Sequence, residues 1–376
     1  MPAPLAKCRC AVVLVVLCFL SASSVSLLPA RAQAHNKTQN VIFVMTDGLR
    51  WQEVFRGADL ALMTKDEGGV TDLPELKRLY WRQSQEERRR LLMPFLWSTI
   101  VKNGQIYGNR DRGSDASVTN GLNFSYPGYS ETLCGYPDSR INSNDKVPNP
   151  NVTILEWLNK RVAYRGRVAA FGAWDVFPFI FNEPRARFLV NAGYDSLNSL
   201  PWSARIDLLN HFKHETPRIW AAEPFDSIPF YTALEFLQVR RPRILFLSLG
   251  ETDEWAHAGN YTEYLNAAHR VDAYLARLWN TVQSLPEYRD KTILVFSPDH
   301  GRGELSDWKN HGEKVPDSKY IWMAFLGPDT AALGERSQIP SVTQNQLAAT
   351  LAALLGEDYV AEVSRSGKPI RDVLPH

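Results

Sequence analysis

The chain has 376 residues, of which 44% are apolar and 22% are charged, and its formal net charge is +1. This composition is that of an ordinary globular protein, and the length suits one large or two modest domains. Because the charge is nearly balanced, the composition excludes a strongly basic nucleic-acid-binding protein, and we expect no binding of duplex nucleic acid.

The N-terminal segment predicts export. Lys7 and Arg9 precede the apolar run 11–20, and the segment closes on small residues up to Ala34. This is the layout of a secretory signal peptide cut near Ala34, which would leave a periplasmic or secreted protein without a membrane span. The apolar run is short for a bilayer helix, which needs about 20 residues, so an uncleaved anchor is the weaker alternative.

Cysteine usage fits this prediction. Three of the four cysteines lie within the predicted signal peptide, and Cys134 is the one that remains. The exported chain would therefore form no internal disulfide and would depend on a large apolar core, which suits the bacterial periplasm.

Five short apolar runs, rich in β-branched and aromatic residues, predict buried strands. They lack polar alternation, which is typical of parallel strands covered on both faces. Amphipathic stretches between them predict helices, so the sequence indicates an α/β fold: a doubly wound, mostly parallel sheet with helices on both faces. The strands are 41–45, 167–173, 244–250, 292–297 and 320–327, and the clearest helices are 88–104, 263–285 and 344–356.

After the predicted signal peptide, residues 35–376 are expected to form a single domain with two insertions. The region at about 51–90 is rich in tryptophan and charge and contains no strand pattern, and 174–240 has many prolines and aromatic residues. We predict that both form caps over the sheet. The charged run 86–90 predicts a solvated helix face.

Acidic and histidine side chains follow three of the predicted strands. Since the carboxyl ends of parallel strands lie at one edge of an open sheet, these side chains are expected to meet in one crevice. An aspartate after a strand is often only a helix cap, but six such residues at related positions argue against coincidence. Three carboxylates and three imidazoles suit Zn²⁺, and they divide naturally into two sites of three. The residues are Asp47, Asp253, His257, Asp299, His300 and His311.

The stretch 123–138 offers a nucleophile. Ser125 stands just before a Pro-Gly turn and a predicted helix start. A helix N-terminus favours a bound phosphate, and a serine beside Zn²⁺ can lose its proton and attack. From the residues alone, Ser125 could instead be a helix cap, and Ser130 and Thr132 are alternative nucleophiles.

Taken in order, the stretches "VIFVMTDG", "SYPGYSETLCGYPD", "DEWAH", "SPDHG" and "NHG" resemble the motifs of the alkaline phosphatase superfamily. The resemblance is closest to its type I phosphodiesterase/nucleotide pyrophosphatase branch, and it spans most of the chain after residue 34. It implies an alkaline phosphatase-like fold and a two-zinc phosphohydrolase. Ser125 matches the family's nucleophile, which stands before an aromatic-Pro pair.

The resemblance also implies how the zinc ions are held. Paired metals of this kind clamp the attacking and leaving oxygens of an in-line displacement. The serine would attack phosphorus, a phosphoserine would form, and hydroxide generated at the second zinc would hydrolyse it. Mn²⁺ or another divalent metal is the less favoured alternative. The first implied site is Asp47, Asp299 and His300, completed by Ser125 Oγ, and the second is Asp253, His257 and His311.

Four further residues are candidates for substrate binding. Asn144, with Asn142 as the alternative, matches the amide that holds a phosphate oxygen in this family. Arg140 either reaches the phosphate or lies on the surface. Trp174 either stacks on a base or acyl group or is a core aromatic residue.

Two departures from the family pattern leave alternatives open. The "HG" that commonly follows the nucleophile helix is absent, and His311 follows His300 by only eleven residues, as in phosphate-transferring mutases. The C/S-x-P/A-x-R pattern of sulfatases is not found. The sequence therefore predicts an exported two-zinc phosphoric ester hydrolase acting on a small phosphate ester, most closely a phosphodiesterase. The alternatives are a phosphomonoesterase, a phosphoryl transferase or mutase, and a non-catalytic metal-binding relative.

Overall fold

The apolar runs predicted as strands form the centre of one mixed sheet in the computed structural model, which describes residues 1–3, 36–198 and 203–375. The predicted signal peptide, residues 1–34, lies outside the described residues from residue 4 onwards. Asn36–His376 forms one compact unit. Among the described residues, no helix combines the length and the apolar character needed to cross a bilayer.

The large sheet has eight strands in the order β5-β4-β6-β1-β7-β8-β2-β9, and β10 pairs separately with β3. The five strands from β5 to β7 run parallel, whereas β8 is antiparallel to β7. The doubly wound, mostly parallel sheet is therefore confirmed. The strands are β1 Asn40–Thr46, β2 Gln105–Tyr107, β3 Ala116–Ser117, β4 Val168–Gly172, β5 Leu189–Ala192, β6 Ile244–Leu249, β7 Thr292–Pro298, β8 Met323–Leu326, β9 Gly334–Glu335 and β10 Val342–Thr343.

Helices cover both faces of this sheet. The buried side chains of β1 alternate between two apolar cores: Ile42 and Val44 face one, and Val41, Phe43 and Met45 face the other. Burial on both faces explains why β1 reads as a continuous apolar run. The helices are Trp51–Arg56, Lys65–Gly68, Leu73–Tyr80, Gln85–Leu92, Val101–Asn103, Ser125–Cys134, Ile154–Asn159, Phe177–Ile180, Glu183–Ala186, Ala204–Glu215, Ser227–Arg240, Glu251–His257, Tyr261–Ser284, Leu347–Leu354 and Tyr359–Glu362, with a π-helix at Leu96–Ile100 and 3₁₀ turns at Leu60–Leu62, Arg110–Arg112, Leu305–Lys309, Pro316–Lys319, Gln344–Gln346 and Arg371–Val373.

The predicted helix 88–104 is interrupted. Helix Gln85–Leu92 ends just before Pro94, and the π-helix Leu96–Ile100 follows. Proline has no backbone N–H and breaks the helical hydrogen-bond ladder. The N–H groups of the two residues after the proline donate instead to the buried carboxylate of Asp272, at 2.7 and 2.8 Å.

The charged run 86–90 differs from the prediction of a solvated face, because two of its arginines are buried. Arg88 and Arg89 are 9% and 7% exposed. Arg88 donates to backbone carbonyls, while Arg89 pairs with Glu335 at 3.0 Å and lies over the ring of Trp97. Guanidinium groups can be buried in this way because they satisfy several acceptors at once.

The two regions predicted as caps have different structures. Residues 51–90 contain helices and no strand, as expected. Residues 174–240 are largely helical but also supply β5, which pairs with β4 at the edge of the large sheet. The second region is therefore partly built into the sheet.

Gly128 lies where the helix Ser125–Cys134 crosses the end of β7. The two elements are so close there that no side chain would fit. A Cβ at this position would stand 2.4 Å from the carbonyl oxygen of Asp299. We expect Gly128→Ala to lower the free energy of unfolding by about 1–3 kcal/mol through overpacking. Because the clash displaces Asp299, activity should fall by about tenfold or more. Chemical denaturation and steady-state kinetics measure the two effects.

Gly356→Ala is the matched control. An added Cβ there meets no atom within 4 Å, although φ is +79°. The control should lose about 1 kcal/mol or less from backbone strain and keep full activity. Equal kinetics for Gly128→Ala and the wild type would contradict the proposed link between this helix and Asp299.

Candidate active site

The candidate site forms where three neighbouring parallel strands end together. Strand β1 lies between β6 and β7, and Thr46 is in register with Leu249 on one side and Pro298 on the other. The residues that follow these three strands therefore leave the sheet at the same level. Asp47 follows β1, Asp299 and His300 follow β7, and the helix Glu251–His257 after β6 carries Asp253 and His257. The sixth predicted ligand, His311, lies further along the chain, in the loop after the 3₁₀ turn Leu305–Lys309.

The first cluster of ligands is buried beside β1 and β7. Asp47, Asp299 and His300 place one ligand atom each within 4.8 Å of one another. His300 Nε2 lies 3.2 Å from Asp47 Oδ1 and 3.5 Å from Asp299 Oδ2. Ser125 Oγ is 3.4 Å from the same nitrogen, so the predicted nucleophile borders this cluster.

The second cluster is partly open to solvent. His257 Nε2 is 3.1 Å from Asp253 Oδ2, and His311 Nε2 is 3.7 Å from Asp253 Oδ1. The two imidazole Nε2 atoms are 3.0 Å apart. The ring of His311 also stacks on that of His300 with centroids 4.0 Å apart, which places the two clusters side by side. The structure thus brings all six predicted ligands and Ser125 together.

Two buried oxygen atoms indicate that the first cluster suits a cation. Asp47 Oδ1 and Asp299 Oδ2 are buried and have no hydrogen-bond partner in the described part of the chain. Their sister oxygens are satisfied, by Tyr129 for Asp47 and by two backbone N–H groups for Asp299. Burying an unpaired carboxylate oxygen is costly, and a bound divalent metal would remove that cost. The donor set therefore fits a metal ion.

The histidines are held with one particular nitrogen facing the site. His300 Nδ1 contacts the carbonyl oxygen of Gly301 at 2.8 Å, and His311 Nδ1 contacts that of Asn123 at 3.2 Å. When Nδ1 donates to a carbonyl oxygen, Nε2 keeps its lone pair for a metal. Asn123 has a left-handed backbone with φ +53°, which presents its carbonyl oxygen to His311.

The electrostatics of the site differ between its acids. Burial, reinforced by the nearby Asp253, raises the pKa of Asp47 to about 7. Burial would also raise the pKa of Asp253, but Arg302 and His257 outweigh it and hold that pKa well below its usual range. Burial lowers the pKa of His300 to about 4 and that of His311 to about 3. Both imidazoles are therefore neutral and able to bind a metal near neutral pH.

We expect zinc affinity to fall by about tenfold or more in total as the pH decreases from 7 to 5.5. Below pH 7 the Asp47 carboxyl is protonated in the metal-free protein and must lose its proton to bind zinc. His300 does not add to this pH dependence of zinc affinity, because its lowered pKa keeps the imidazole neutral down to a pH of about 4. Competition with a chromophoric chelator across this range measures the affinity. A constant affinity between pH 7 and 6 would contradict this account.

Two residues of the site were missed from the sequence. The buried guanidinium of Arg302 contacts Asp253 Oδ1 and donates from Nε to the Trp308 carbonyl oxygen at 2.9 Å. The Tyr129 hydroxyl lies 3.1 Å from Asp47 Oδ2 and 2.7 Å from Ser248 Oγ. Tyr129 stands one helical turn after Ser125, so its position on the same helix face was a usable signal. Arg302 directly follows the "DHG" motif in the sequence. Its position beside the predicted ligands could have indicated that its positive charge offsets the negative charge of the carboxylates.

The four predicted substrate-binding residues lie at different places. Asn144 Oδ1 accepts from the backbone N–H of Tyr126 at 3.0 Å, which places this amide beside Ser125. Arg140 is exposed, and its hydrogen bonds go to Asp138 and Asn151. The structure records no contact of Asn142 or Arg140 with the two clusters among the described residues.

Trp174 is half-buried and packs against the apolar core that also contains Tyr126 and Tyr129. This position fits the core-aromatic alternative. Of the alternative nucleophiles, Ser130 lies inside the helix, with its hydroxyl 3.1 Å from Asn149 Nδ2. Thr132 is fully buried, and its hydroxyl has no partner among the described residues. Of the three candidate nucleophiles, Ser125 is thus the one whose hydroxyl the structure places against the clusters.

Known proteins resemble this chain in both sequence and fold. In sequence, it is 25% identical to the 2,3-bisphosphoglycerate-independent phosphoglycerate mutase of Haloarcula marismortui over 127 residues, which are 34% of this chain and 23% of that enzyme. The match thus spans about a quarter of the mutase.

In structure, the wild type alkaline phosphatase PafA superposes with a TM-score of 0.57 at 11% identity, covering 92% of this chain and 100% of that one. A 2-O GAG sulfatase superposes with a TM-score of 0.52 at 12% identity, covering 90% and 74%. Likenesses at this level of identity concern the fold.

The family model for type I phosphodiesterase/nucleotide pyrophosphatase matches residues 69–323, well over half of the chain. This range contains the serine and every ligand described above except Asp47, which precedes it and is joined to the others by the pairing of β1 with β6 and β7. The chain is therefore a member of the type I phosphodiesterase/nucleotide pyrophosphatase family, with an alkaline phosphatase-like fold.

Proposed function

We propose that this protein is an exported, two-zinc phosphoric ester hydrolase that cleaves phosphate diesters through a phosphoserine at Ser125. The observation that carries the proposal is the position of Ser125: the first residue of a buried helix, with Oγ 3.4 Å from His300 Nε2 and beside two clusters of ligand side chains. Family membership supports the reaction class.

The two clusters suit one metal ion each. Asp47, Asp299 and His300 would hold the first, next to Ser125. Asp253, His257 and His311 would hold the second. Mixed imidazole and carboxylate ligands in sets of three are typical of catalytic zinc. Bound zinc would supply Lewis-acid chemistry, lowering the pKa of the serine hydroxyl and stabilising developing negative charge.

The chain's own residues would then position the substrate and the nucleophile. Ser125 Oγ attacks phosphorus, the alcohol leaves, and water hydrolyses the phosphoserine in the second step. Asn144 is fixed through Oδ1 on the Tyr126 N–H, so its Nδ2 is free to donate to a phosphate oxygen. Tyr129 and the backbone N–H groups of Gly48 and His300 hold the carboxylates that face the reaction.

The scarcity of free cationic side chains near the site favours a diester substrate over a monoester. A monoester carries an additional negative charge and benefits from additional cationic contacts. In the described residues, Arg302 is the one guanidinium that contacts the ligand clusters, and it is already held by Asp253 and a backbone carbonyl. Arg140 pairs with Asp138 instead.

A substrate panel tests the proposal. With zinc supplied, we expect bis-p-nitrophenyl phosphate to be hydrolysed with a kcat/KM at least about tenfold above that for p-nitrophenyl phosphate. Chelation should abolish both activities. Faster hydrolysis of the monoester would replace the diesterase proposal with a monoesterase. Hydrolysis of p-nitrophenyl sulfate alone would replace it with a sulfatase.

Export and metal content are measured separately. Expression of the full chain in a Gram-negative host should place it in the periplasmic fraction, with His35 as the first residue. Elemental analysis of that material should give about two zinc ions per chain. An unprocessed chain in the cytoplasm, or about one metal per chain, would contradict the corresponding part of the proposal.

A further inference from the structure

A basic pocket lies at the end of the sheet opposite the candidate active site, and we call it the basal pocket. It precedes the starts of β4 and β5, whereas the ligand clusters follow the ends of the parallel strands β1, β6 and β7. The length of the strands separates the two sites by roughly 15–20 Å. The pocket has a volume of about 840 Å³ and is lined by Asn159, Lys160, Arg165, Gly166, Pro184, Arg185, Ala186 and Arg187.

The basal pocket has an excess of positive charge. Its lining contains four cationic side chains and no acidic one. Glu156, behind the lining, pairs with Lys160 Nζ at 2.8 Å and with Arg185. Arg185 also donates to three backbone carbonyls and is held in the wall. One carboxylate therefore serves two cations, which leaves a local charge of about +3 in a chain whose net charge is +1.

Within the part of the chain that the structure describes, two arginines of the pocket have no acidic partner. Arg165 is exposed and donates from Nη2 to the carbonyl oxygen of Lys160 at 3.1 Å. Arg187 is exposed, and in the described residues its side chain has neither an ion pair nor a hydrogen bond. Their guanidinium groups are therefore available to a ligand, and guanidinium groups bind phosphate oxygens in a bidentate manner.

The walls of the pocket are joined by one buried amide. Asn159 is 7% exposed, and its Nδ2 donates to the carbonyl oxygens of Ala186 and Arg187, each at 3.1 Å. Its Oδ1 accepts from the N–H of Gly166 at 3.0 Å. This single side chain therefore fixes the spacing between the segment that carries Arg165 and the segment that carries Arg187.

Arg187 ends the short helix Glu183–Ala186. Its backbone N–H donates to the carbonyl oxygen of Glu183 at 3.0 Å, and its left-handed φ of +55° belongs to this helix cap. The helix end and the Asn159 amide therefore together fix the backbone from which the Arg187 side chain extends.

We propose that the basal pocket binds a phosphate-bearing anion through Arg165, Arg187 and Lys160, independently of the active site. The volume suits a ligand larger than a single phosphate, such as a phosphorylated small molecule or a lipid headgroup. Both kinds of ligand would bind through the same group, a phosphate. The pocket stands far enough from Ser125 for both sites to be occupied together.

Isothermal titration with inorganic phosphate tests the pocket. The wild type should bind phosphate at the basal pocket with an affinity that Arg165→Gln/Arg187→Gln weakens by about tenfold or more. Arg90→Gln/Arg205→Gln removes the same charge from exposed positions elsewhere and should bind as the wild type does. Neither pair belongs to the catalytic machinery, so unchanged diesterase activity and thermal unfolding show that each variant is folded.

Vesicle sedimentation distinguishes the two sources of phosphate. Binding to vesicles that contain about 30% phosphatidylglycerol, but not to pure phosphatidylcholine, would identify a lipid headgroup if the Arg165→Gln/Arg187→Gln variant loses it. Phosphate binding without vesicle binding would identify a soluble ligand. Phosphate and vesicle binding by Arg165→Gln/Arg187→Gln equal to those of the wild type would overturn the proposal.

Discussion

Replacing Ser125 by alanine is expected to lower kcat/KM for a phosphate diester by about 10³-fold or more, because it removes the nucleophile. The residue is 6% exposed, and its hydroxyl borders the cluster of Asp47, Asp299 and His300. The change removes no carboxylate and no imidazole, so zinc content should stay near two per chain. Steady-state kinetics and elemental analysis on the same preparation give both results.

Ser130→Ala is the matched control for this experiment. Ser130 lies in the same helix and is equally buried, but its hydroxyl contacts Asn149 and Cys134. It should keep its activity and lose about 1 kcal/mol of stability at most. Acid quenching of the wild type with a labelled phosphate donor should also leave label on the peptide that contains Ser125. Full activity in Ser125→Ala would remove the proposed mechanism.

Asp299→Asn is expected to change activity and metal-free stability in opposite directions. Asp299 is fully buried, Oδ1 accepts from the N–H groups of Gly48 and His300, and Oδ2 has no partner among the described residues. Burial raises the pKa of the Asp299 carboxyl well above its usual range, so the metal-free protein holds this group at a cost in stability. The amide keeps the first acceptor and does not have to be protonated on burial, so the metal-free protein should gain about 1–3 kcal/mol. If Asp299 holds one of the two proposed zinc ions, we expect this variant to lose that ion and its activity to fall by about 10³-fold or more.

Asp272→Asn separates this effect from a general effect of removing a buried acid. Both oxygens of Asp272 accept from backbone N–H groups, at 2.7 and 2.8 Å. An amide would turn a donor towards one of these N–H groups, so this variant should lose about 1–3 kcal/mol and keep both zinc ions. Thermal unfolding after chelation, with elemental analysis before it, measures both. A less stable metal-free Asp299→Asn would contradict the idea that the site holds a buried carboxyl at a cost in stability when no metal is bound.

The central part of the fold could be predicted from the sequence because its signals are local. Each of the five central strands is a continuous apolar run, and all five are strands in the structure. The general rule that parallel strands end at one edge of the sheet is then enough to predict that Asp47, Asp253 and Asp299 lie close together. His311 lies in a loop and not at a strand end, and the division of the six ligands into two sites came from the family resemblance.

Other features could not be predicted because they depend on residues far apart in the chain. Strands β2, β5 and β9 have two to four residues and are stabilised by pairing with longer neighbours. The burial of Arg302 depends on Asp253, 49 positions earlier. The orientation of His311 depends on the carbonyl oxygen of Asn123, 188 positions earlier. The missed break before Pro94, by contrast, had a local signal in the proline itself.

The stacking of His300 on His311 has a consequence for the order in which the protein would bind its metal ions. We assigned these two rings to different clusters. His300 nevertheless lies close enough to share a metal ion either with Asp47 and Asp299 or with Asp253 and His311. If two metal ions bind as proposed, an ion that fixes one ring would also fix the ring stacked on it, and the second ion would meet a more rigid site than the first. Uptake should consequently be cooperative: at limiting zinc, the population would divide into empty and doubly loaded molecules, with few intermediates.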